Sequence, residues 1–125
     1  MGQFVTDLAQ VRRLLAVGVE RASADMYQEK NEVLPLPAGV DFVSYELVIM
    51  QSWRMVEPMW SLEALLQVLE KRLRLLNVDY DCIINWPHVS IVPAEYEEAQ
   101  GDMAWLSENG WENVIRAIEW AYKIE

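Results

Sequence analysis

The residues best suited to catalysis are few and isolated in this sequence. The only histidine, His88, lies between a proline and a valine, and no serine or cysteine in a recognisable nucleophile motif accompanies it. The only cysteine, Cys82, lies in an apolar alternation that is typical of a small core residue. The histidine and cysteine offer no metal-ligand spacing, and the five glycines are too scattered to form a phosphate-binding loop. We therefore expect no catalytic residue, no metal site and no cofactor, and we predict that the protein is not an enzyme.

Carboxylates are the second group of residues that could do chemistry. Asp79 and Asp81 would lie on the same side of a strand, and a cluster of acidic residues follows further along the chain. Neither group has the Asp-x-Asp-x-Asp-Gly spacing of a calcium-binding loop, so we expect solvated acidic surface rather than a metal site. The cluster, which is a candidate surface for a protein partner, consists of Glu95, Glu97, Glu98 and Asp102.

The charge of the chain is strongly negative and unevenly distributed. Twenty acidic residues against ten basic ones give a net charge of −10, which repels both nucleic-acid phosphates and anionic membranes. Residues 78–125 contain ten acidic and two basic residues, a net charge of −8. We therefore expect neither sequence-specific nucleic-acid binding nor membrane binding. The acidic third favours either a basic protein partner or a surface past which DNA slides without sticking.

Six tryptophans are many for this length, and four of them lie in the acidic third. Large aromatic side chains fill cores and also anchor protein interfaces, so most are expected in the core. Trp105 and Trp111 lie in an acidic stretch punctuated by glycines, where interface use and burial are equally supported. These two are the candidate interface aromatics.

The length and composition predict one domain over residues 1–125. A chain of 125 residues, of which 53% are hydrophobic, can bury a conventional core. One cysteine cannot form an internal disulfide, and the apolar run Leu14–Val19 is too short for a signal-peptide core. Both observations favour a cytosolic protein. No apolar stretch approaches the roughly 18 residues of a membrane span.

The periodicity of the first half predicts a helix, a loop and a strand. Apolar residues recur at spacings of three and four over Phe4–Met26, which predicts a long helix that ends near Asn31. Prolines and a glycine predict a loop over Leu34–Asp41. Alternating apolar residues predict a long strand over Phe42–Val56, which Pro58 ends.

The second half carries the clearest helical pattern in the chain. Ser61 is a suitable N-cap for a leucine-striped helix over Leu62–Leu76, whose charged residues match the helix dipole. Alternation over Tyr80–Trp86 and Val89–Ile91 predicts two short strands.

The final segment, residues 112–124, fits two structures equally well. Asn109 and Glu112 resemble a capping box, which favours a helix, whereas alternating apolar residues favour a strand. The predicted fold class is α+β. A long N-terminal helix and a second, leucine-rich helix would pack on a small, mainly antiparallel sheet, with the C-terminal segment undecided between strand and helix.

The order of these elements resembles the tail terminator, or tail completion, proteins of long-tailed bacteriophages. The resemblance is one of pattern over residues 3–125, and three segments carry it: Tyr45–Trp53, Leu62–Leu76 and Ala117–Ile124. It implies a strand at the first and last of these segments and a helix at the second.

The resemblance also implies a function. Such proteins are structural and form a homo-hexameric ring that caps the tail tube and joins it to the head-tail connector. The expected partners would be copies of the chain, tail-tube proteins and connector proteins, located in the virion and in the host cytoplasm during assembly. The acidic cluster described above would then line or approach the lumen through which DNA passes. The alternative is a small acidic inhibitor, such as an immunity or anti-defence protein, that binds a basic protein partner.

Overall fold

The computed structural model describes residues 3–76, 78–93 and 103–124 of the chain. Within these residues the protein has four α-helices and two antiparallel sheets of three strands each, which confirms the α+β class. In chain order the elements are α1 (Leu8–Val17), a 3₁₀ helix (Arg21–Ser23), β1 (Met26–Glu29), β2 (Glu32–Pro35), α2 (Phe42–Met50), β3 (Glu57–Met59), α3 (Leu62–Arg74), β4 (Tyr80–Asn85), β5 (His88–Pro93), β6 (Met103–Trp105) and α4 (Gly110–Lys123).

Contacts within the chain cluster into two compact units, residues 1–64 and 65–125. The first unit contains the sheet with strand order β2-β1-β3, and the second contains the sheet with order β4-β5-β6. The boundary between the units falls inside α3. A single domain over residues 1–125 stays a prediction.

In the first unit, Trp60 joins segments that are distant in sequence. Its side chain is fully buried, and its indole N–H donates to Ser23 Oγ at 3.0 Å. The Trp60 backbone N–H donates to Thr6 Oγ1, and the Thr6 N–H donates to the Trp60 carbonyl, both at 3.0 Å. A buried indole needs a partner for its N–H, and here that partner lies in the 3₁₀ helix. Burial and hydrogen bonding therefore attach both the N-terminal segment and the 3₁₀ helix to the residue that follows β3.

The helix α3 begins at Leu62, directly after the predicted N-cap Ser61. Ser61 Oγ accepts a hydrogen bond from the Ala64 N–H at 3.2 Å, which is the geometry of an N-cap. The Ser61 N–H in turn donates to Asp25 Oδ1 at 2.8 Å. The helix ends at Arg74, near the predicted end, and the apolar stripe supplies its buried residues: Ala64, Leu65, Val68, Leu69 and Leu73.

The predicted N-terminal helix is wrong beyond Val17. Gly18 ends α1 in the left-handed conformation, with φ of 105°, and its N–H bonds back to the Leu14 carbonyl. Glycine adopts this conformation without a Cβ clash, so it is a common helix terminator. The apolar residues beyond it keep the helical spacing, yet β1 and β2 pair as an antiparallel hairpin in which Tyr27 is buried. The periodicity therefore continues past the point at which the helix stops.

The predicted strand over Phe42–Val56 is also wrong, because its first part is the helix α2. Asp41 caps this helix by accepting a hydrogen bond from the Ser44 N–H at 2.8 Å. Because most residues of this segment are apolar, its sequence matches both the helical and the strand period. The N-cap residue Asp41 favours the helix. The strand in this region is β3, and it includes Pro58. Proline is tolerated there because β3 lies at the edge of its sheet.

The C-terminal segment is the helix α4, so its interpretation as a strand is wrong. Asn109 Oδ1 accepts a hydrogen bond from the Glu112 N–H at 3.2 Å, as the capping pattern predicts. Gly110 begins the helix, and a Cβ at this position would overlap the indole of Trp86. The buried residues follow a helical period: Trp111, Val114, Ile115, Ile118 and Ala121.

A buried asparagine connects three parts of the second unit. Asn113 lies in the first turns of α4 and is almost fully buried. Its side-chain amide donates to the Pro87 carbonyl at 2.7 Å and to the Ser107 carbonyl at 2.8 Å, and its Oδ1 accepts from Ser107 Oγ at 2.8 Å. The β4–β5 turn, the β6–α4 connection and α4 are thus joined through one side chain.

Replacing Asn113 by leucine is expected to lower the free energy of unfolding by about 3 kcal/mol, because two carbonyl groups lose their donors. Urea unfolding measures this change. The matched control is Asn85→Leu at an exposed position in β4, which should change the free energy by less than about 0.5 kcal/mol. Equal changes in the two variants would show that the Asn113 hydrogen bonds do not stabilise the unit.

The turn after α2 contains an unusual backbone conformation. Trp53 has φ of 58°, in the left-handed region that glycine and asparagine normally occupy. Its N–H bonds to the Met50 carbonyl at 3.0 Å, so the residue closes the turn that follows the end of α2 at Met50. Its side chain is 96% exposed, and burial within the chain does not offset the conformational cost.

Trp53→Gly is therefore expected to raise the free energy of unfolding by about 1 kcal/mol, because glycine has no Cβ clash in this conformation. Urea unfolding at low protein concentration tests this, so that association between chains does not contribute. Met55→Gly, at a residue that is also highly exposed but lacks a positive φ, should be neutral or destabilising. A loss of stability in Trp53→Gly as large as that in Met55→Gly would contradict the expectation.

Candidate protein-binding site

The second unit contains a cleft of about 420 Å³ between α3 and β4. Clefts of this size accommodate small ligands or individual side chains of a protein partner. Its apolar lining consists of Leu66, Leu73, Tyr80, Cys82 and Ile84, and its charged lining consists of Glu70, Arg74, Asp79 and Asp81.

Helical and strand geometry explain why these residues line one cleft. Residues three and four apart share a helix face, which brings Leu66, Glu70 and Leu73 together on α3. Alternate residues share a strand face, which brings Cys82 and Ile84 together on β4. Pairing with β5 places these two beside the buried residues Ile91 and Val89, so this is the inward face of the sheet.

The outward face of β4 is exposed and acidic at the end where the strand begins. Asp79, Asp81 and Ile83 alternate along it, and Ile83 is 53% exposed although it is fully apolar. The sequence has no lysine or arginine between Arg74 and Arg116, so no basic side chain from this long stretch neutralises these carboxylates. We call Asp79, Asp81, Ile83 and the adjoining cleft the acidic sheet end.

Charges around the cleft also affect its thiol. Glu70 and Arg74 form an exposed ion pair on α3. Burial raises the pKa of the Cys82 thiol, and the negative charge of Glu70 raises it further. The thiol is therefore neutral at physiological pH, and Cys82 contributes apolar lining rather than a nucleophile.

The predicted acidic cluster lies outside the described residues. Glu95, Glu97, Glu98 and Asp102 belong to the segment that joins β5 to β6. The described residues that flank it are Pro93, which pairs with Tyr80, and Met103, which pairs with Ile91. Both flanking residues lie at the end of the sheet where β4 begins, the end that carries Asp79 and Asp81.

The two candidate interface aromatics have different environments. Trp105 in β6 is half-buried, and its ring makes an edge contact with Trp120 at 6.1 Å between centroids. Trp120 makes a second edge contact with Tyr80 at 5.4 Å. Trp111 is only 8% exposed, so it belongs to the core of the second unit. An interface role for Trp105 and Trp111 stays a prediction.

The remaining residues that could catalyse a reaction or bind a metal ion do not cluster in the described part of the chain. His88 is half-buried at the start of β5 and pairs with Asn85 across the turn. Within residues 3–76, 78–93 and 103–124, no three histidine, cysteine or acidic side chains lie close enough together to hold a metal ion. None of the helices in the described part of the chain combines the length and apolarity that crossing a membrane requires.

Sequence patterns identified part of this site and missed the rest. The alternation of Asp79 and Asp81 predicted that both lie on one side of a strand; in the structure Asp81 is an exposed residue of β4, and Asp79 comes directly before the strand. Glu70 and Arg74 resemble ordinary surface residues of an amphipathic helix, and local spacing does not reveal that they border a cleft. The sequence did contain one indication of an acidic site after this helix: the stretch without lysine or arginine begins directly after Arg74.

Comparison of the chain with protein-family models, with curated proteins and with solved structures finds no significant match.

The raised pKa of Cys82 predicts slow alkylation. Because less thiolate is present at neutral pH, iodoacetamide should react more slowly with the folded chain than with the unfolded chain. The midpoint of the rate-against-pH curve should lie above that of the unfolded chain, and Glu70→Gln should lower it. Glu108→Gln, an exposed change outside the cleft, is the control and should have no effect. A folded-state midpoint equal to the unfolded one would contradict the assigned electrostatics.

Proposed function

We propose that the protein acts without catalysis, by binding a basic protein partner at the acidic sheet end, in the manner of an immunity or anti-defence inhibitor. The observation that supports this function most directly is the combination of an apolar cleft with carboxylates at its border. The chain has a net charge of −10, which attracts a basic partner over long distances and repels nucleic acid and anionic membranes.

The chemistry of the cleft fits the side chains of lysine and arginine. Each has an apolar stem and a cationic head, and buried stems with solvated heads are common in proteins. The stem would pack against Leu73, and the head would reach Asp79 or Asp81, which also line the cleft. The exposed Ile83 adds an apolar contact beside these carboxylates, as in many protein interfaces where apolar anchors lie next to polar residues.

The same chemistry favours binding over catalysis. A nucleophilic cysteine needs a lowered pKa, whereas that of Cys82 is raised. The acidic cluster of Glu95, Glu97, Glu98 and Asp102, which lies outside the described residues, adds four carboxylates to the charge of the chain and so strengthens its attraction for a cationic partner.

The ring of a phage tail terminator is the second candidate. The helix α3 agrees with what the resemblance implies for Leu62–Leu76. Most of Tyr45–Trp53 lies in α2 and most of Ala117–Ile124 lies in α4, where the resemblance implies strands. We therefore place this function second. It requires six copies of the chain in a closed ring, with the tail tube and the head-tail connector as partners.

The first proposal is tested by reversing two charges. The double variant Asp79→Lys, Asp81→Lys should weaken binding of the partner at least tenfold, because attraction is lost and repulsion is added. The tagged full chain is expressed in its source cells, the captured protein is identified by mass spectrometry, and binding of the purified pair is measured by calorimetry. The captured protein is expected to be basic.

The control for net charge is Glu32→Lys with Glu57→Lys, which makes the same total change at exposed positions in the first unit. This control should bind the partner with a dissociation constant within about twofold of that of the natural sequence, because its two changes lie outside the short-range contacts of the acidic sheet end. If both double variants weaken binding equally, the acidic sheet end is not the binding site. If the captured partner is not basic, the proposed function is wrong.

A further inference from the structure

The first unit exposes an apolar surface on α2 and on the turn that follows it. Val43, Leu47 and Met50 share one helix face, while Phe42 and Ile49 are buried on another. A helix that is apolar on all sides is normally covered on all sides, but this one is not. We call the exposed apolar residues of this helix face and of the segment that follows it the apolar helix surface: Val43, Leu47, Met50, Trp53 and Met55. Val48 is also exposed but does not share this face.

The size of this surface matches that of a protein interface. Trp53 is 96% exposed and Met55 is 85% exposed, and Leu47 and Met50 are each more than half exposed. The five side chains together present on the order of several hundred Å², of which Trp53 supplies roughly 200 Å² because a large aromatic side chain offers about 150–250 Å². The largest apolar patch on a typical monomer is roughly 300–600 Å², and a standard interface buries roughly 800 Å² per partner.

The charges of this region are neutralised within the chain. Residues 42–56 contain two charged side chains, Glu46 and Arg54. Glu46 accepts a hydrogen bond from Arg21 at 2.5 Å, and Arg54 forms a two-pronged ion pair with Glu29. Both charged side chains within residues 42–56 are thus paired, so this stretch is close to neutral, and the nearest carboxylates along the chain are Asp41 and Glu57 at its two ends.

These observations favour a second copy of the chain as the occupant. Two neutral, apolar surfaces of the same kind can cover each other without bringing like charges together. Trp53 supports this role, because tryptophan is the residue most typical of interface centres and here it occupies a strained conformation without burial in its own chain.

We propose that two copies of the chain pair through the apolar helix surface about a two-fold axis, so that each surface covers the other. The pair and the basic partner would use different residues, because the apolar helix surface belongs to the first unit and the acidic sheet end to the second. A two-fold pair closes on itself, so it forms dimers and nothing larger.

Sedimentation velocity and light scattering on the full chain, over about 1–100 μM, test this proposal. The expected particle has twice the 14.5 kDa mass of one chain, and no larger species forms as the concentration rises. Leu47→Lys and Trp53→Ser should each raise the dimer dissociation constant at least tenfold, since each removes an apolar contact from the surface.

The matched control is Leu75→Lys, because Leu75 is also a highly exposed leucine but lies outside the surface. It should leave the dimer unchanged, and circular dichroism confirms that all three variants are folded. A monomer across the whole range overturns the proposal, and so does a dimer that Leu47→Lys and Trp53→Ser leave intact. A hexamer, or species that grow with concentration, also overturns it and would favour a ring or an open assembly instead.

Discussion

Trp60 is fully buried, and the way in which its polar groups are satisfied determines much of the first unit. Its indole N–H bonds to Ser23 and its backbone pairs with Thr6, so the chain before β1 and the chain after β3 meet at one residue. The large indole, together with Phe42 and Ile49 of α2, occupies the interior. The helix α2 also carries apolar residues on a second face, and that face stays in contact with solvent. The apolar helix surface and the core of the first unit therefore belong to opposite faces of one helix.

In the second unit, too, a buried polar side chain is hydrogen-bonded within the chain, but the surface that this unit exposes is acidic rather than apolar. Asn113 supplies the donors that two backbone carbonyls in adjoining connections require. These bonds attach α4 to the β4–β5 turn and to the connection after β6, while Asp81 lies in β4 and Asp79 directly before it. In the first unit Arg21 and Arg54 neutralise acidic neighbours, whereas the second unit has no basic residue over most of its length. One unit therefore offers apolar contact and the other offers charge.

The elements that the sequence predicted correctly are those in which the hydrophobic periodicity agrees with the residues that begin or end an element. The stripe of α3 begins at a good N-cap, and the alternation of β4 and β5 is interrupted at their turn, so all three elements were predicted. The predicted N-terminal helix extended past Gly18, because the spacing of the apolar residues does not reveal that a glycine in the left-handed conformation ends the helix there. Residues 42–56 fitted two periods, and Asp41 as an N-cap was the decisive signal. For the site, the sequence located Asp79 and Asp81, but the cleft depends on which face of α3 packs near β4, and that is a tertiary property. The conformation of Trp53 was not predictable, because residue preferences favour glycine or asparagine there.

The ion pairs of Glu46 with Arg21 and of Arg54 with Glu29 have a consequence for how the protein would respond to ionic strength. Dissolved salt screens charges beyond roughly 10 Å at 0.1 M, so it weakens the attraction between exposed carboxylates and a cationic partner. The same screening reduces the repulsion between two chains that each carry a charge of −10, while leaving contact between neutral apolar surfaces intact. Rising ionic strength would therefore act in opposite directions on the two proposed associations, releasing the basic partner and favouring the paired chains. The salt concentration of the compartment would then set which surface is occupied.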